Sequence, residues 1–284
     1  MFALDGPEGR HAATVRRIRT SERVVVTDGA GAWVTCEVCA VERDALELTV
    51  LARAYEPAPA PRTVVVQALA KGDRGELAVA VLTEAGVDEI VPPWSASRSV
   101  TVWRAERGEK ALLKWRSTAR ESAKQSRRCW LPVVSALATT AAVCARISAA
   151  SAAYVLHEDA TEPLALAQPP SDGTVMLIVG PEGGISPDEL AAFTAAGALP
   201  VRLGPTVFRT STAGVAAPFR PQRRYLPLVL TLGGGATDSD TSAVTQAPPT
   251  TGLTPSAGQN PTLDENPALV RLRRGCRRGA GRRC

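Results

Sequence analysis

The stretch MLIVGPEGGISPDE, residues 176–189, places an apolar run, a glycine-rich loop and a helix start in direct succession. Ser186 is a favourable N-cap, the proline after it suits the first helical position, and Glu189 stands where a capping box has its acid. We therefore expect a buried strand, a ligand-binding loop at 180–184 and a helix that stops at Gly197.

A second strand end runs through Gly204 and Pro205 to Arg209, in the stretch LGPTVFRTSTA at residues 203–213. Ligands of α/β sheets bind at the carboxyl ends of strands, which is where both loops would lie. Neither loop has the GxGxxG or Gly-Lys-Ser pattern of a phosphate site, and Glu182 would repel a phosphate. The two loops are therefore expected to hold one small molecule with a neutral or cationic edge.

Two regions with different periodicity precede residue 218. Residues 23–52 alternate apolar and polar positions between turns, which is typical of a small β-barrel or sandwich. The stiff segment EPAPAP at 56–61 leads into alternating strands and helices, which favour an α/β domain with a parallel sheet. We assign residues 1–56 to the first domain and residues 62–217 to the second.

The net charge of +5 is distributed unevenly along the chain. Residues 218–284 carry ten Arg against four acidic residues, so residues 1–217 have a net charge of −1. Residues 98–128 carry ten Lys or Arg against three Glu, and we expect a helix over 105–128 with its cations on one face. This patch is a candidate RNA-binding surface, and a solvated helix face is the alternative.

Six cysteines occur without a signal peptide or a disulfide-type spacing, so we expect a reducing, cytoplasmic environment. Cys36 and Cys39 would face opposite sides of one strand, and no second ligand pair accompanies them. A zinc site is therefore disfavoured. No apolar stretch approaches the roughly 20 residues that span a bilayer, so neither a metal nor a membrane is expected.

Five segments, in this order, resemble the motifs of the bacterial 16S ribosomal RNA uridine-N3 methyltransferases. They are residues 71–76, 82–86, 123–128, 177–184 and 203–213. Each segment alone is a weak signal, whereas the ordered set is highly specific, and the resemblance covers roughly residues 4–217. It implies a PUA-like N-terminal β-barrel followed by a SPOUT α/β domain with a deep trefoil knot, S-adenosylmethionine as cofactor, and an active site formed across a homodimer.

The resemblance assigns the two paired loops, and a third loop after a strand end at Leu156, to the cofactor. The candidate cofactor-binding residues are Leu156, His157, Gly180, Pro181, Glu182, Gly183, Gly184, Leu203, Gly204, Phe208, Arg209 and Thr210. Arg209 is expected to stabilise a uracil anion, with an internal ion pair as the alternative. Glu182 is expected to accept a proton or to orient the cofactor, with a loop-stabilising hydrogen bond as the alternative.

The partner that the resemblance implies is 16S ribosomal RNA within the small ribosomal subunit. The candidate RNA-binding residues are Arg16, Arg17, Arg98, Arg120, Lys124, Arg127 and Arg128. Phosphate contacts are their expected role, because such contacts give affinity and register without reading the base sequence. His11 and His157 are interpreted as structural rather than catalytic.

The chain departs from the family pattern at both ends. The family usually has an extra short strand before the segment that starts at Leu4, so we expect the barrel to start truncated. Pro218 stops a last helix that in the family continues for several apolar turns. Residues 218–284 lack a core pattern, are expected to be disordered, and are interpreted as the product of an out-of-frame gene segment. The alternative functions are therefore an inactive RNA-binding protein, or a methyltransferase of another RNA position such as a ribose 2′-O.

Overall fold

The computed structural model describes residues 1–94, 96–99, 103 and 105–217. The expected disorder of residues 218–284 and their proposed out-of-frame origin lie outside the described residues. Contacts group the described residues into two units. One contains Met1–Val26 with Val34–Arg53, and the other contains Thr27–Trp33 with residues 54–217.

A four-stranded sheet lies in the N-terminal part of the chain. Its strands are β1 (Phe2–Leu4), β2 (Arg23–Thr27), β3 (Ala32–Val41) and β4 (Leu46–Tyr55), in the order β1-β4-β3-β2. The last three strands lie where the alternating pattern of residues 23–52 predicts strands. β1 pairs antiparallel with β4, so that Phe2 lies opposite Leu48 and Leu4 opposite Leu46. A short first strand is therefore present in this sheet.

The first unit has its own apolar core under a short helical segment. This segment is α1 (Gly6–Arg10), followed by a π-helical turn (His11–Val15). Leu46 and Leu48 are completely buried in the core, together with Cys36. Cys39 is exposed, which confirms that the two thiols of β3 face opposite sides of the sheet.

The second unit is built on a six-stranded sheet in which every neighbouring pair is parallel. Its strands are β5 (Arg62–Ala68), β6 (Glu89–Trp94), β7 (Val133–Val134), β8 (Ala152–Leu156), β9 (Thr174–Val179) and β10 (Leu199–Val201). The strand order is β10-β8-β9-β5-β6-β7. The predicted α/β domain with a parallel sheet is thus confirmed.

Helices connect these strands and cover both faces of the sheet. They are α2 (Arg74–Glu84), α3 (Ala105–Gln125), α4 (Thr140–Ala149), α5 (Pro187–Ala195) and α6 (Thr210–Ala216). Val65 packs with Leu82 and Trp115 in one core, whereas its neighbour Val64 packs with Phe193 in the other. Successive residues of a strand point to opposite faces, so β5 contributes to both cores.

The helix predicted after the glycine-rich loop is confirmed in its details. The Ser186 side chain accepts the Glu189 N–H and so caps the first turn of α5, and the Glu189 carboxylate accepts the Ser186 N–H, which completes the capping box. Gly197 follows with a φ of +108°. The last described helix, α6, ends at Ala216, and Ala217 is extended, as expected for a residue before proline.

The long basic helix ends earlier than the sequence predicts. α3 stops at Gln125, and Arg127 takes a left-handed conformation with a φ of +58°. The Arg128 N–H then donates to the carbonyl of Ala123 at 2.9 Å, which closes the end of the helix. Arg127 and Arg128 therefore do not continue the helix face that carries Lys124.

A buried carboxylate lies at the edge of the parallel sheet where the strands begin. Glu89, at the start of β6, is 6% exposed and accepts from Arg62 Nη2 at 2.8 Å and from Arg146 Nη1 at 2.7 Å. The hydroxyl of Ser135 also donates to it. Because a buried charge is tolerated when it is paired and hydrogen-bonded, these contacts give this edge a structural role.

We predict that Cys129 reacts far more slowly with a thiol alkylating agent than Cys39 does. Burial, together with the carboxylates of Glu56 and Asp28, raises the pKa of Cys129 to about 12, and only the thiolate is a good nucleophile. Peptide mass mapping after alkylation of the native protein at pH 8 checks this. Equal labelling of both peptides would contradict it, and unfolding in urea should remove the difference.

Candidate active site

Three loops with candidate site residues follow three neighbouring strands. β8 lies between β9 and β10, and all three strands run in the same direction. The loops after Leu156, after Val179 and after Val201 therefore emerge at one edge of the sheet, which is the position expected for a ligand in an α/β fold. The prediction that both glycine-containing loops lie at strand ends is confirmed.

The glycine-rich loop, residues 180–184, is a tight turn. The Gly184 N–H donates to the Pro181 carbonyl at 2.9 Å, and Gly184 has a φ of +76°, which disfavours other residues. A Cβ atom on Gly180 would lie 2.8 Å from Cγ1 of Ile185. The two glycines thus allow the chain to reverse closely above the end of β9.

Glu182 connects the glycine-rich loop with the loop that follows β5. Its Oε1 accepts the backbone N–H of Lys71 at 3.1 Å, while the residue remains exposed. β5 is the neighbour of β9, so this hydrogen bond joins two adjacent loops of the carboxyl edge. This hydrogen bond holds the loop in place. The second carboxylate oxygen, Oε2, remains available to accept a hydrogen bond or a proton.

The loop that follows β10 leads to Arg209 at the N-cap of α6. Arg209 is exposed, and among the residues that the structure describes no carboxylate forms an ion pair with it. Val207 and Phe208 are also exposed, to 79% and 43%. The end of the loop is anchored, because the buried Gln67 donates to the Thr210 carbonyl at 3.1 Å.

The two histidines make local hydrogen bonds. The N–H of His157 donates to the Val201 carbonyl at 3.0 Å, and its Nδ1 accepts the N–H of Asp159 at 3.3 Å. His11 Nε2 accepts from Arg16 Nε at 3.3 Å. His157 thereby shapes the loop after β8.

The turn of residues 96–99 follows β6 and contacts the glycine-rich loop, a contact that the sequence pattern did not indicate. Ser97 donates its N–H and its hydroxyl to the carboxylate of Glu189, at 2.8 and 2.9 Å. Burial acts to raise the pKa of Glu189, but the hydrogen bonds from Ser97 and Ser186 outweigh it and hold the pKa below its ordinary value. The helix-capping glutamate thus also fastens the turn that carries Arg98.

The candidate RNA-binding arginines of the first unit lie on an irregular segment. Arg16 follows the π-helical turn, and Arg17 has a φ of +52°, which is uncommon outside glycine. Both residues are exposed. Residues held in such conformations concentrate at functional sites, so the segment remains a candidate RNA contact.

The cations of α3 flank the buried stripe of the helix. Trp115, Ala119 and Ala123 face the core, and Arg116, Arg120 and Lys124 stand one position further along. Arg116 donates to the Val134 carbonyl at 3.1 Å, and Lys124 pairs with Glu121 at 2.7 Å. Some of these cations therefore already have protein partners.

Arg128 is a structural residue, which corrects its assignment as an RNA contact. Its side chain is 5% exposed, and Nη1 donates to the carbonyls of Thr83 and Val87 at 2.9 and 2.7 Å. Nη2 lies 3.6 Å from a carboxylate oxygen of Asp88. A guanidinium buried against these acceptors cannot reach an RNA phosphate.

We predict that Arg128→Ala lowers the free energy of unfolding by about 3 kcal/mol, because it removes the two hydrogen bonds to the Thr83 and Val87 carbonyls and the cation that faces the largely buried Asp88 carboxylate. The neighbouring exposed residue provides the control, since Arg127→Ala should change stability by no more than about 0.5 kcal/mol. Urea unfolding of both variants measures this. Equal stability of the two variants would show that the Arg128 contacts do not stabilise the fold.

A second prediction concerns the acid dependence of stability. Because the pKa of Glu189 is lower in the folded protein, its contribution is complete above the ordinary value of 4.5 and is lost as the pH falls through the folded pKa. Glu189→Gln should therefore cost about 1–3 kcal/mol at pH 7, and the difference from wild type should shrink at pH 3–4. Urea unfolding at several pH values checks this, with Asp188→Asn on the exposed side of the same helix turn as control.

Two further classes of feature are not found among the described residues. In that part of the chain no group of three or more His, Cys, Asp or Glu side chains could hold a metal ion. No helix of the described ranges combines the length and the apolar character needed to cross a membrane.

Comparisons with known proteins agree with this geometry. Residues 56–219 match an RNA methyltransferase domain family, and residues 4–51 match an RNA methyltransferase PUA domain family. The chain is 48% identical over 218 residues to the ribosomal RNA small subunit methyltransferase E of Mycobacterium bovis, covering 75% of this chain and 83% of that protein. The protein of the same name from Bacillus subtilis is 25% identical over 224 residues, covering 76% and 87%.

A solved methyltransferase structure from Legionella pneumophila, which contains bound S-adenosylmethionine, is similar to this chain with a TM-score of 0.66. The sequence identity is 26%, and the match covers 76% of this chain and 89% of that one. The sequence relatives and the domain matches together decide the classification. The chain belongs to the RNA methyltransferase family that includes ribosomal RNA small subunit methyltransferase E.

Proposed function

We propose that the protein transfers the methyl group of S-adenosylmethionine to N3 of a uridine in 16S ribosomal RNA. The observation that carries this proposal is the meeting of three loops at the carboxyl edge of adjacent parallel strands, in a chain of this family. The relatives named as ribosomal RNA small subunit methyltransferases support the substrate class. The assignment of the uridine N3 atom as the methylated position is based on the sequence resemblance.

The residues at this edge fit S-adenosylmethionine. Cβ atoms built on Gly184 and Gly204 would meet no other atom within 4 Å, so both loops leave open space beside the backbone. Glu182 gives the loop a negative charge, which suits a sulfonium and opposes a phosphate. The cofactor supplies an electrophilic methyl group, and Leu156 and Phe208 would pack against it. The remaining contacts would come from His157, Gly180, Pro181, Gly183, Leu203, Arg209 and Thr210.

The reaction requires the uracil imide to lose a proton. The N3–H bond breaks, the N3 electron pair attacks the methyl carbon, and the carbon–sulfur bond breaks to release the neutral thioether. Arg209 would stabilise the negative charge that develops on the uracil ring, and its exposure on the loop after β10 supports this role. Glu182 would receive the proton through its second oxygen or orient the cofactor, while Lys71 holds the first oxygen.

Phosphate contacts would bring the RNA to this edge. Arg98 is exposed beside the glycine-rich loop, and Arg16, Arg17 and Arg127 are exposed elsewhere on the chain. Arg120 and Lys124 add positive charge along α3. These cations would contribute affinity and register that depend on salt concentration, and base selection would remain with the pocket.

The finer architecture also belongs to this proposal. It comprises a PUA-like barrel at residues 1–56, a knotted SPOUT domain at residues 62–217, a homodimer with a shared active site, and action on the small ribosomal subunit in the cytoplasm. The family matches at residues 4–51 and 56–219 support the two domains.

A second candidate function is RNA binding without methyl transfer. The last described helix, α6, has only seven residues, and an apolar groove lined by Val65, Val87, Leu177 and Val215 opens beside it. The short final helix supports this alternative, because in the family pattern that helix continues for several apolar turns. Failure of the full chain to bind S-adenosylmethionine would favour this alternative.

We predict that the purified full chain binds S-adenosylmethionine in a saturable one-site titration and methylates unmethylated small ribosomal subunits. Arg209→Ala should lower kcat by about a hundredfold, because it removes one stabilising group for the developing anion. Arg43→Ala, which removes an exposed arginine between β3 and β4 that is not a candidate site residue, should retain the wild-type rate. A rate for Arg209→Ala equal to that of wild type would contradict the role of Arg209.

Mapping of the modified atom separates the candidate reactions. A methyl group on N3 removes the donor from the Watson–Crick edge, so reverse transcription stops at the modified uridine. A ribose 2′-O-methyl group leaves that edge intact and allows full read-through at high nucleotide concentration. Full read-through of a methylated product would therefore contradict methylation at N3 and favour the ribose 2′-O position.

A further inference from the structure

The turn of residues 96–99 stands next to the proposed cofactor loop without being part of it. It follows β6, the neighbour of β5 in the sheet, and the Ser99 N–H donates to the Ala96 carbonyl at 3.0 Å. Ala96 is 5% exposed and packs in the core with Phe193, whereas Arg98 is exposed. The turn is therefore anchored in the core by Ala96, and it exposes the guanidinium of Arg98.

The first attachment of the turn is the carboxylate of Glu189, which is 6% exposed. Ser97 gives this carboxylate two hydrogen bonds, and Ser186 gives it two more, from its N–H at 3.1 Å and its hydroxyl at 2.8 Å. A capping box needs only the bonds to Ser186. The bonds from Ser97 are additional, and they fix the turn to the first turn of α5.

The second contact is close packing of the turn against Gly183 of the glycine-rich loop. A Cβ atom built on Gly183 would lie 2.6 Å from the carbonyl oxygen of Arg98 and 3.2 Å from its Cβ. The backbone of the turn thus lies directly on the glycine-rich loop, at a separation that only glycine permits. Any side chain at position 183 would push the two segments apart.

We propose that Ser97, Glu189 and Gly183 are positioning residues for Arg98, which they hold against the cofactor loop so that its guanidinium contacts the RNA beside the methyl donor. This inference rests on the proposed function, because it assigns the RNA contact of the same site. These three residues fix the distance between the Arg98 backbone and the glycine-rich loop. The cations of α3 take no part in setting this distance.

Ser97→Ala tests this with little change in the protein, since it removes one hydroxyl bond to Glu189 and keeps the backbone bond. We expect the KM for unmethylated small ribosomal subunits to rise about three- to tenfold, the range that one hydrogen bond supports, with the affinity for S-adenosylmethionine unchanged. Ser97→Thr keeps the hydroxyl and should restore the wild-type KM. Thr139→Ala, which removes the N-cap of α4 far along the chain, controls for a general loss of stability.

A double-mutant cycle shows whether Ser97 acts through Arg98. Arg98→Ala should raise the KM by itself, and adding Ser97→Ala to it should raise the KM no further. Multiplying effects of the two changes, or a wild-type KM for Ser97→Ala, would overturn the inference. Fluorescence anisotropy with an unmethylated 16S ribosomal RNA fragment gives the same comparison without catalysis.

The two proposals can fail separately. RNA binding without methyl transfer by the wild-type chain would contradict the proposed function, and the anisotropy cycle would still test Ser97 against Arg98. Methyl transfer with no effect of either substitution would contradict only the positioning role.

Discussion

The parallel pairing of β9 with β8 on one side and β5 on the other is the constraint on which the second unit depends. Met176 pairs with Ala153 and with Val64, so the central strand is hydrogen-bonded along both edges. Because all six strands run the same way, their following loops leave at one edge. The position of the candidate site is a consequence of this direction, and the helices cover the two faces of the sheet while α5 and α6 begin at the site.

The two edges of the sheet use charge in different ways. At the amino edge, Glu89 is buried and surrounded by donors, and Asp88 and Arg128 are nearly buried as well. At the carboxyl edge, Glu182 and Arg209 are exposed. Charges enclosed by partners stabilise a structure, whereas charges left at an open edge remain available to a ligand.

The sequence predicted helices, strands and turns well where local signals were strong. It predicted contacts between residues that are distant in the chain poorly. The capping box at Ser186 and the glycine-rich loop follow from neighbouring residues, so both were predictable. The turn of residues 96–99 and the burial of Arg128 depend on strand order, which no local pattern contains. An exposed and a buried arginine look the same in a sequence, because burial is decided by distant residues such as Thr83.

The two loops that would enclose the cofactor differ in how firmly they are held. The loop at residues 180–184 is fixed by the Glu182–Lys71 hydrogen bond and by close contact with Arg98, whereas Val207 and Phe208 of the other loop are largely exposed. A competitive inhibitor that rests on the first loop meets a preformed surface. An inhibitor that rests on the second loop would bury the exposed Val207 and Phe208 side chains, and the rotamer freedom that these side chains lose would reduce its affinity.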